Sequence, residues 1–191
     1  MKALEEKILR EGVILPGNVL KVGSFLNQQI DVPFMNEMAR FGAALFAGKH
    51  ITKVMTIEAS GIAFGYAVAT VLNVPMIFAK KSTTSNQTGT LLTAPVYSYT
   101  HGTSYHATVA ADYLGKEDSV LLVDDFLANG EALRGLLKLV RDGGAEAAGA
   151  LIAIEKGFQS GGEALRKEGL QVESLAIIEE MSPEKGIRFR A

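Results

Sequence analysis

Residues 120–132, which read VLLVDDFLANGEA, decide the fold of this chain. The first four, Val120–Val123, are apolar without alternation, which is typical of a strand buried on both faces in a parallel sheet. Asp124 and Asp125 follow this run, and we expect them just past the carboxyl end of the strand. A short glycine-bearing loop leads into a predicted helix over 133–140. Because ligands of open α/β sheets bind at the carboxyl ends of the strands, this stretch also predicts the functional site.

Strands and helices alternate outward from this stretch. In chain order, the pattern predicts strands over 53–57 and 75–79 around a helix over 61–72, and strands over 150–154 and 175–178 around a helix over 162–167. Such alternation is typical of a parallel sheet with helices on both faces. We therefore predict an α/β fold with a central, mostly parallel sheet flanked by helices.

The N-terminal segment is predicted to add helices to this core. Helix formers with apolar residues at helical spacing predict helices over 2–10 and 34–46, and Pro16-Gly17 between them indicates a turn. We expect a core of about residues 50–180 and an addition over about residues 1–48. No repeat or linker divides the chain, so residues 1–191 are predicted to form a single domain.

The stretch between residues 82 and 110 has the pattern of a flap. Residues 82–94 are polar and irregular, and two alternating stretches follow at 96–100 and 104–110. This pattern indicates a hairpin or a long flap. An irregular segment of this size in a small domain is usually functional.

Composition excludes several classes of protein. With 191 residues and 48% hydrophobic content, the chain has the composition of an ordinary globular domain. The absence of cysteine excludes disulfides and thiolate metal ligands. A net charge of −2 lacks the basic excess of a nucleic-acid binder, and no apolar run approaches the ~20 residues that span a bilayer. We therefore expect a cytoplasmic protein without nucleic-acid or membrane partners.

The acid pair and the loop after it suit a sugar phosphate. Adjacent carboxylates can hold vicinal ribose hydroxyls, directly or through a magnesium ion. Loop residues before a helix offer unpaired backbone N–H groups, and the helix dipole favours an anion there. An acidic turn after a strand is the alternative interpretation. Neither a P-loop pattern nor Gly-x-Gly-x-x-Gly occurs, so the best signals of ATP and dinucleotide binding are missing.

Two segments of the chain resemble a known family. Residues 120–132 resemble the motif with which type I phosphoribosyltransferases bind 5-phosphoribosyl-1-pyrophosphate (PRPP). The run DDFLANG at 124–130, and LKVGSFLNQQID at 20–31, resemble the bacterial xanthine phosphoribosyltransferases within that family. Together with the segments at 56–61, 80–81, 97–103 and 154–159, the resemblance covers nearly the whole chain. It implies the type I phosphoribosyltransferase fold, with a small N-terminal hood formed by about residues 1–48 with the C-terminal segment, and a flexible flap over 97–103.

The resemblance also implies roles for particular residues. Asp124 and Asp125 are expected to be catalytic and to meet magnesium mainly indirectly, through ribose or water. PRPP is expected to contact Ala128, Asn129, Gly130, Glu131 and Ala132, and its pyrophosphate to contact Glu58, Ala59, Ser60, Gly61 and Lys81. The purine is expected to contact Leu20, Asn27, Lys156 and Phe158. The flap comprises Tyr97, Ser98, Tyr99, Thr100, His101, Gly102 and Thr103, which would close over PRPP and exclude water.

The implied activity is the transfer of 5-phosphoribosyl from PRPP to xanthine in purine salvage, with magnesium, by a homodimer. Lys156 offers a donor to a purine 6-oxo group, and an Asn27 amide could donate to the 2-oxo group of xanthine. Guanine and hypoxanthine share the 6-oxo group and stay open as alternatives. A non-catalytic regulator that senses PRPP is the alternative from another class, although the residues before the core are too few for a winged helix.

Overall fold

The computed structural model describes residues 1–81, 89–98 and 102–190. Its helices are α1 (Lys2–Glu11), α2 (Val32–Ala44), α3 (Gly61–Leu72), α4 (Glu131–Asp142) and α5 (Gly161–Lys167). Its strands are β1 (Val13–Leu15), β2 (Val19–Lys21), β3 (Lys53–Ile57), β4 (Met76–Ala79), β5 (Leu91–Ser98), β6 (Thr103–Ala110), β7 (Ser119–Leu127), β8 (Glu146–Lys156), β9 (Val172–Ser182) and β10 (Gly186–Phe189). A π-helical turn spans Gly23–Asn27 and a 3₁₀ turn spans Ala111–Tyr113.

The central sheet has six strands in the order β10-β9-β8-β7-β3-β4. All neighbours are parallel except β10, which runs antiparallel to β9. The α/β fold with a mostly parallel sheet flanked by helices is therefore confirmed. The short hairpin β1-β2 and the long hairpin β5-β6 form separate two-stranded sheets.

The strand order reverses between β3 and β7, and there the two strands part. From β3 the chain crosses to β4 on one side, and it later returns to place β7 on the other. The β3-β7 ladder ends at the pair Met55 and Leu122, whereas β7 stays paired with β8 as far as Leu127 and Glu155. A crevice therefore opens beside the last five residues of β7.

The run 120–123 is buried on both faces, as its lack of alternation predicts. All four residues have no exposed surface. Leu121 and Val123 pack in a cluster with residues of α1, α2 and α3, whereas Val120 and Leu122 pack in a second cluster with α4, β5 and β6. Side chains alternate across a strand, so this single strand joins the two halves of the core.

Two local expectations are corrected, and two small elements were not predicted. Asp124 and Asp125 lie inside β7 instead of past its end, because pairing with β8 continues four residues beyond Val123. Residues 91–94 already belong to β5, although residues 82–94 were expected to be irregular. The turn predicted at Pro16-Gly17 is confirmed. The hairpin β1-β2 that it connects and strand β10 were not predicted, because strands of three or four residues are too short to give a clear periodicity. The division into a core of about 50–180 and a hood of about 1–48 stays a prediction.

No helix within the described ranges is both long and apolar enough to cross a membrane.

Candidate active site

A cavity of about 460 Å³ opens beside the carboxyl half of β7. Residues 124–133 line one part of it without a break. The N-terminal segment contributes Leu20 and Asn27, β8 contributes Lys156, and the long hairpin contributes Val96, Tyr97 and Tyr105. The structure thus brings together residues that are more than 100 positions apart in the sequence.

Asp124 is a carboxyl group almost completely removed from water. It is 6% exposed, and its Oδ1 accepts a hydrogen bond from the backbone N–H of Asp125 at 3.0 Å. Burial raises the pKa of Asp124 well above its usual value near 3.8, and the neighbouring charge of Asp125 raises it further. The positive charge of Lys81 acts in the opposite direction. Such a perturbed carboxyl group in a cavity is typical of a functional site.

Asp125 links two separate parts of the chain. Its Oδ2 accepts a hydrogen bond from Nδ2 of Asn27 at 3.0 Å, and its Oδ1 accepts one from Oγ of Ser60 at 3.1 Å. Asn27 belongs to the N-terminal segment, and Ser60 lies in the turn between β3 and α3. Both carboxylate oxygens therefore carry protein hydrogen bonds, which fixes the orientation of Asp125.

The turn that carries Asn27 is anchored to α1 by Lys7. The Lys7 ammonium, buried at 9% exposure, bonds to Asp31 at 2.8 Å and lies 5.3 Å and 5.1 Å from the ring centroids of Phe25 and Phe34. Asp31 also caps α2 by accepting the backbone N–H of Phe34. One buried cation therefore holds α1, the π-helical turn and the start of α2 together.

The turn from Glu58 to Gly61 needs glycine at its last position. A Cβ at Gly61 would lie 2.2 Å from Oγ1 of Thr56 and 2.8 Å from Oδ1 of Asp124. Oγ1 of Thr56 is buried and has no hydrogen-bond partner among the described residues. Gly61 thus lets the turn approach the Asp124 carboxyl group closely.

The turn also contacts the second predicted pyrophosphate segment. Oε1 of Glu58 accepts the backbone N–H of Lys81 at 2.6 Å, and the peptide bond between Glu58 and Ala59 is cis. The Lys81 ammonium lies 5.4 Å from the ring centroid of Tyr105. Ser60 lines the cavity, whereas Glu58, Ala59, Gly61 and Lys81 are not among its lining residues.

The segment Ala128–Ala132, called here the phosphate loop, lines the cavity along its whole length. Gly130 has φ of +88° and precedes the first residue of α4, a conformation that strongly favours glycine. The first backbone N–H groups of a helix have no partner within it, and the helix dipole is positive at this end. The loop therefore has the properties of an anion-binding site.

Three of the four predicted base contacts line the cavity, and the fourth does not. Leu20, Asn27 and Lys156 are lining residues. The Lys156 ammonium donates to the backbone oxygen of Asn18 at 2.9 Å, and burial lowers its pKa. Phe158 is absent from the cavity wall and is 37% exposed.

Phe126 is the aromatic residue that lies at the cavity beside Lys156. It is a lining residue, and its ring centroid lies 5.8 Å from Nζ of Lys156. It is the residue after the acid pair, and strand β7 still pairs with β8 there. The strand was predicted to end before Asp124, so there was no reason to expect Phe126 in the cavity wall.

The predicted flap is only partly described. Tyr97 and Ser98 belong to β5, Thr103 belongs to β6, and Gly102 lies in a turn, so the hairpin predicted for this stretch is confirmed in its described residues. Tyr99, Thr100 and His101 lie outside the described residues. Tyr97 lines the cavity, as does Tyr105, which sequence reasoning missed. Burial raises the pKa of Tyr105, and the nearby Asp124 charge adds to the effect.

Comparison with known proteins shows the family of this chain. The family model for the phosphoribosyl transferase domain matches residues 34–185. The chain therefore belongs to the phosphoribosyltransferase family. It is 54% identical to a xanthine phosphoribosyltransferase of Bifidobacterium longum over 100% of both chains. It is 51% identical to one of Heliobacterium modesticaldum, covering 97% of this chain and 98% of the relative.

Solved structures confirm the fold. The adenine phosphoribosyltransferase of Trypanosoma brucei superimposes with a TM-score of 0.78 at 20% identity, covering 96% of this chain and 83% of that one. That of Thermoanaerobacter pseudethanolicus gives 0.74 at 22% identity, covering 91% and 98%. At this level of identity, the likeness concerns the fold.

The burial of Asp124 predicts a pH-dependent gain in stability from Asp124→Asn. A raised pKa means that the Asp124 contribution to stability is fully present below about pH 3.8 and is lost as pH rises through the raised pKa. The neutral amide avoids that loss. Urea unfolding measures the free energy of unfolding of variant and parent at each pH. We expect the advantage of the variant over the parent to be larger at pH 8 than at pH 4.

Asp112→Asn, which changes a carboxylate on the exposed surface, is the control for this measurement. A stability difference between Asp124→Asn and the parent that is the same at both pH values would show that Asp124 is ionised at no cost in the folded chain.

Proposed function

We propose that this chain transfers the 5-phosphoribosyl group from PRPP to xanthine, giving xanthosine 5-phosphate (XMP) and pyrophosphate. The observation that carries the proposal is the hydrogen bond between Asn27 and Asp125. It joins the predicted base contacts to the predicted ribose contacts inside one cavity. The xanthine phosphoribosyltransferases that resemble this chain along its whole length support the same substrate.

The polar groups of the cavity suit an oxo-purine. Lys156 supplies an ammonium with three donors, one of which bonds to Asn18. The Asn27 amide has two N–H donors, and one of them bonds to Asp125. Donors thus remain on two residues for the 6-oxo and 2-oxo groups of xanthine, with Phe126 available to stack on the ring.

The other part of the cavity suits the sugar phosphate. The phosphate loop offers backbone N–H groups to the 5-phosphate. Asp124 and Asp125 face the position of the ribose, where they can accept its hydroxyls and stabilise positive charge that develops at C1. The turn Glu58–Gly61 and Lys81 lie close to Asp124 and are the candidates for holding pyrophosphate.

Magnesium fits this donor set as a partner of the substrate. The described residues hold no group of three or more His, Asp or Glu side chains that could bind a metal ion by themselves. Mg²⁺ is usually bound through one or two carboxylates together with substrate phosphates, and Asp124 and Asp125 supply such carboxylates. Because the Asp125 oxygens carry protein hydrogen bonds, its contact is expected mainly through ribose or water. Bound magnesium would neutralise charge on the pyrophosphate.

The reaction exchanges one bond at C1 of the ribose for another. The bond from C1 to the pyrophosphate oxygen breaks, and pyrophosphate leaves with the electron pair. A ring nitrogen of xanthine forms the new bond to C1 and loses its proton, for which Asp125 is a candidate acceptor. The chain contributes mainly positioning and electrostatic stabilisation, which together account for large rate accelerations.

We also propose that the chain acts in the cytoplasm as a homodimer and as a single domain whose N-terminal hood covers the base. The family resemblance supports the dimer. The packing of Leu4, Ile8 and Met35 in one cluster with Leu121 and Leu151 of the sheet supports a hood that is part of that domain.

Product formation with four bases tests the activity. Purified protein with PRPP and Mg²⁺ is given xanthine, guanine, hypoxanthine or adenine, and nucleotide formation is measured. We expect kcat/KM for xanthine to exceed that for each other base about tenfold or more, because unpaired donors in the site disfavour bases that lack a 2-oxo group.

The control is the double variant Asp124→Asn, Asp125→Asn, which should lose about 100-fold or more in kcat. A preference for guanine or hypoxanthine would contradict the assignment of xanthine. PRPP binding without product from any base would favour the non-catalytic regulator.

Asn27→Ala tests the 2-oxo contact. Removing the donor should lower kcat/KM for xanthine about 10- to 100-fold, which corresponds to ~1–3 kcal/mol for a lost buried hydrogen bond. Hypoxanthine, which has no 2-oxo group, should be much less affected. Asn36→Ala, on the exposed face of α2, is the matched control. An equal loss for both bases would show that Asn27 acts through Asp125 instead of on the base.

A further inference from the structure

The first residues of α5 pack directly on the phosphate loop. The backbone N–H of Gly161 donates to the oxygen of Ala128 at 3.2 Å. A Cβ at Gly161 would lie 2.3 Å from that oxygen, 2.5 Å from the carbonyl carbon of Asn129 and 2.6 Å from the nitrogen of Gly130. All three are backbone atoms, so a larger residue at this position could be accommodated only by moving the loop.

A buried ion pair holds α5 in this position. Glu155 of β8 is 2% exposed, and its two oxygens accept from Nη1 and Nη2 of Arg166 at 2.9 Å and 2.6 Å. Burial acts to raise the pKa of Glu155, but hydrogen bonds from Arg166 and Ser174 keep it below the usual value. Two parallel bonds of this kind fix the orientation of both side chains.

The second glycine of α5 fits against the same ion pair. A Cβ at Gly162 would lie 2.1 Å from Oε1 of Glu155 and 2.8 Å from Nη1 of Arg166. The Glu155 backbone is paired with Leu127, the residue immediately before the phosphate loop. The contacts therefore run without interruption from the ion pair, through the start of α5, to the loop.

We propose that Gly161, Glu155 and Arg166 are positioning residues that fix the phosphate loop and thereby set the affinity for PRPP. They act through the backbone of Ala128–Gly130 and do not touch the substrate. The inference rests on the proposed function, in which this loop binds the 5-phosphate. Loop backbone N–H groups bind an anion well only when they converge on it, so a small displacement lowers affinity.

Gly161→Ala is the direct test. We expect the KM for PRPP to rise about 10- to 100-fold. The KM for xanthine at saturating PRPP should stay within about twofold, because Leu20, Asn27 and Lys156 do not contact the substituted position. Gly115→Ala is the matched control, since a Cβ at Gly115 meets nothing within 4 Å and its backbone is not in the left-handed region. Thermal unfolding of each variant shows whether the fold is retained.

A second test of the proposal uses Arg166→Met and Arg166→Lys, which add no atom next to the phosphate loop. Arg166→Met removes both guanidinium hydrogen bonds from the buried Glu155 carboxylate. It should therefore also raise the KM for PRPP. Arg166→Lys restores the charge but only one donor group, so it should recover part of the affinity. This graded order separates a positioning role from a general loss of structure.

Calorimetric titration of the parent and the variants with PRPP and Mg²⁺, without any base, measures the same effect independently of turnover. A weaker PRPP affinity in Gly161→Ala and Arg166→Met would support the proposal. An unchanged PRPP affinity, or equal increases in the KM for PRPP and xanthine, would overturn it. If the parent binds PRPP but does not use xanthine, the proposed function fails while the titration still tests the positioning of the loop.

Discussion

The separation of β3 from β7 is the constraint on which the site depends. The two strands pair only as far as Met55 and Leu122, while β8 keeps β7 extended to Leu127. Five residues of β7 therefore present one free edge to a cavity while their other edge stays fixed in the sheet. Asp124 is the second residue of this free stretch, and the buried core on both faces explains why its carboxyl group is so poorly solvated.

Asp125 connects β7 to two other segments of the chain. Its two oxygens receive Asn27 from the N-terminal segment and Ser60 from the turn after β3. The predicted base contact Asn27 and the predicted pyrophosphate turn thus meet at one carboxylate of the central strand. The buried Lys7 keeps the Asn27 turn in place from the other side, so the position of Asn27 depends on α1 as well as on the sheet. In the proposed function, this double contact of one carboxylate links the binding of the two substrates energetically.

The sequence predicted what depends on local pattern and missed what depends on pairing. The unbroken apolar run 120–123 predicted the central strand, and DDFLANG predicted the residues that line the cavity, because both signals lie in adjacent residues. The length of β7 could not be predicted, because it is set by pairing with β8. For the same reason, the place of Phe126 in the cavity wall could not be predicted. The need for glycine at position 161 and the pairing of Glu155 with Arg166 could not be predicted either. Both depend on contacts between segments that are separated in the sequence.

A crystal structure of the protein with XMP would test the proposed site as a whole, because XMP contains both the base and the 5-phosphate. We expect the phosphate on the backbone N–H groups of Ala128–Ala132, the ribose against Asp124 and Asp125, and the base between Asn27 and Lys156 over Phe126. A nucleotide bound in another place, or one whose base lies away from Asn27 and Lys156, would contradict it.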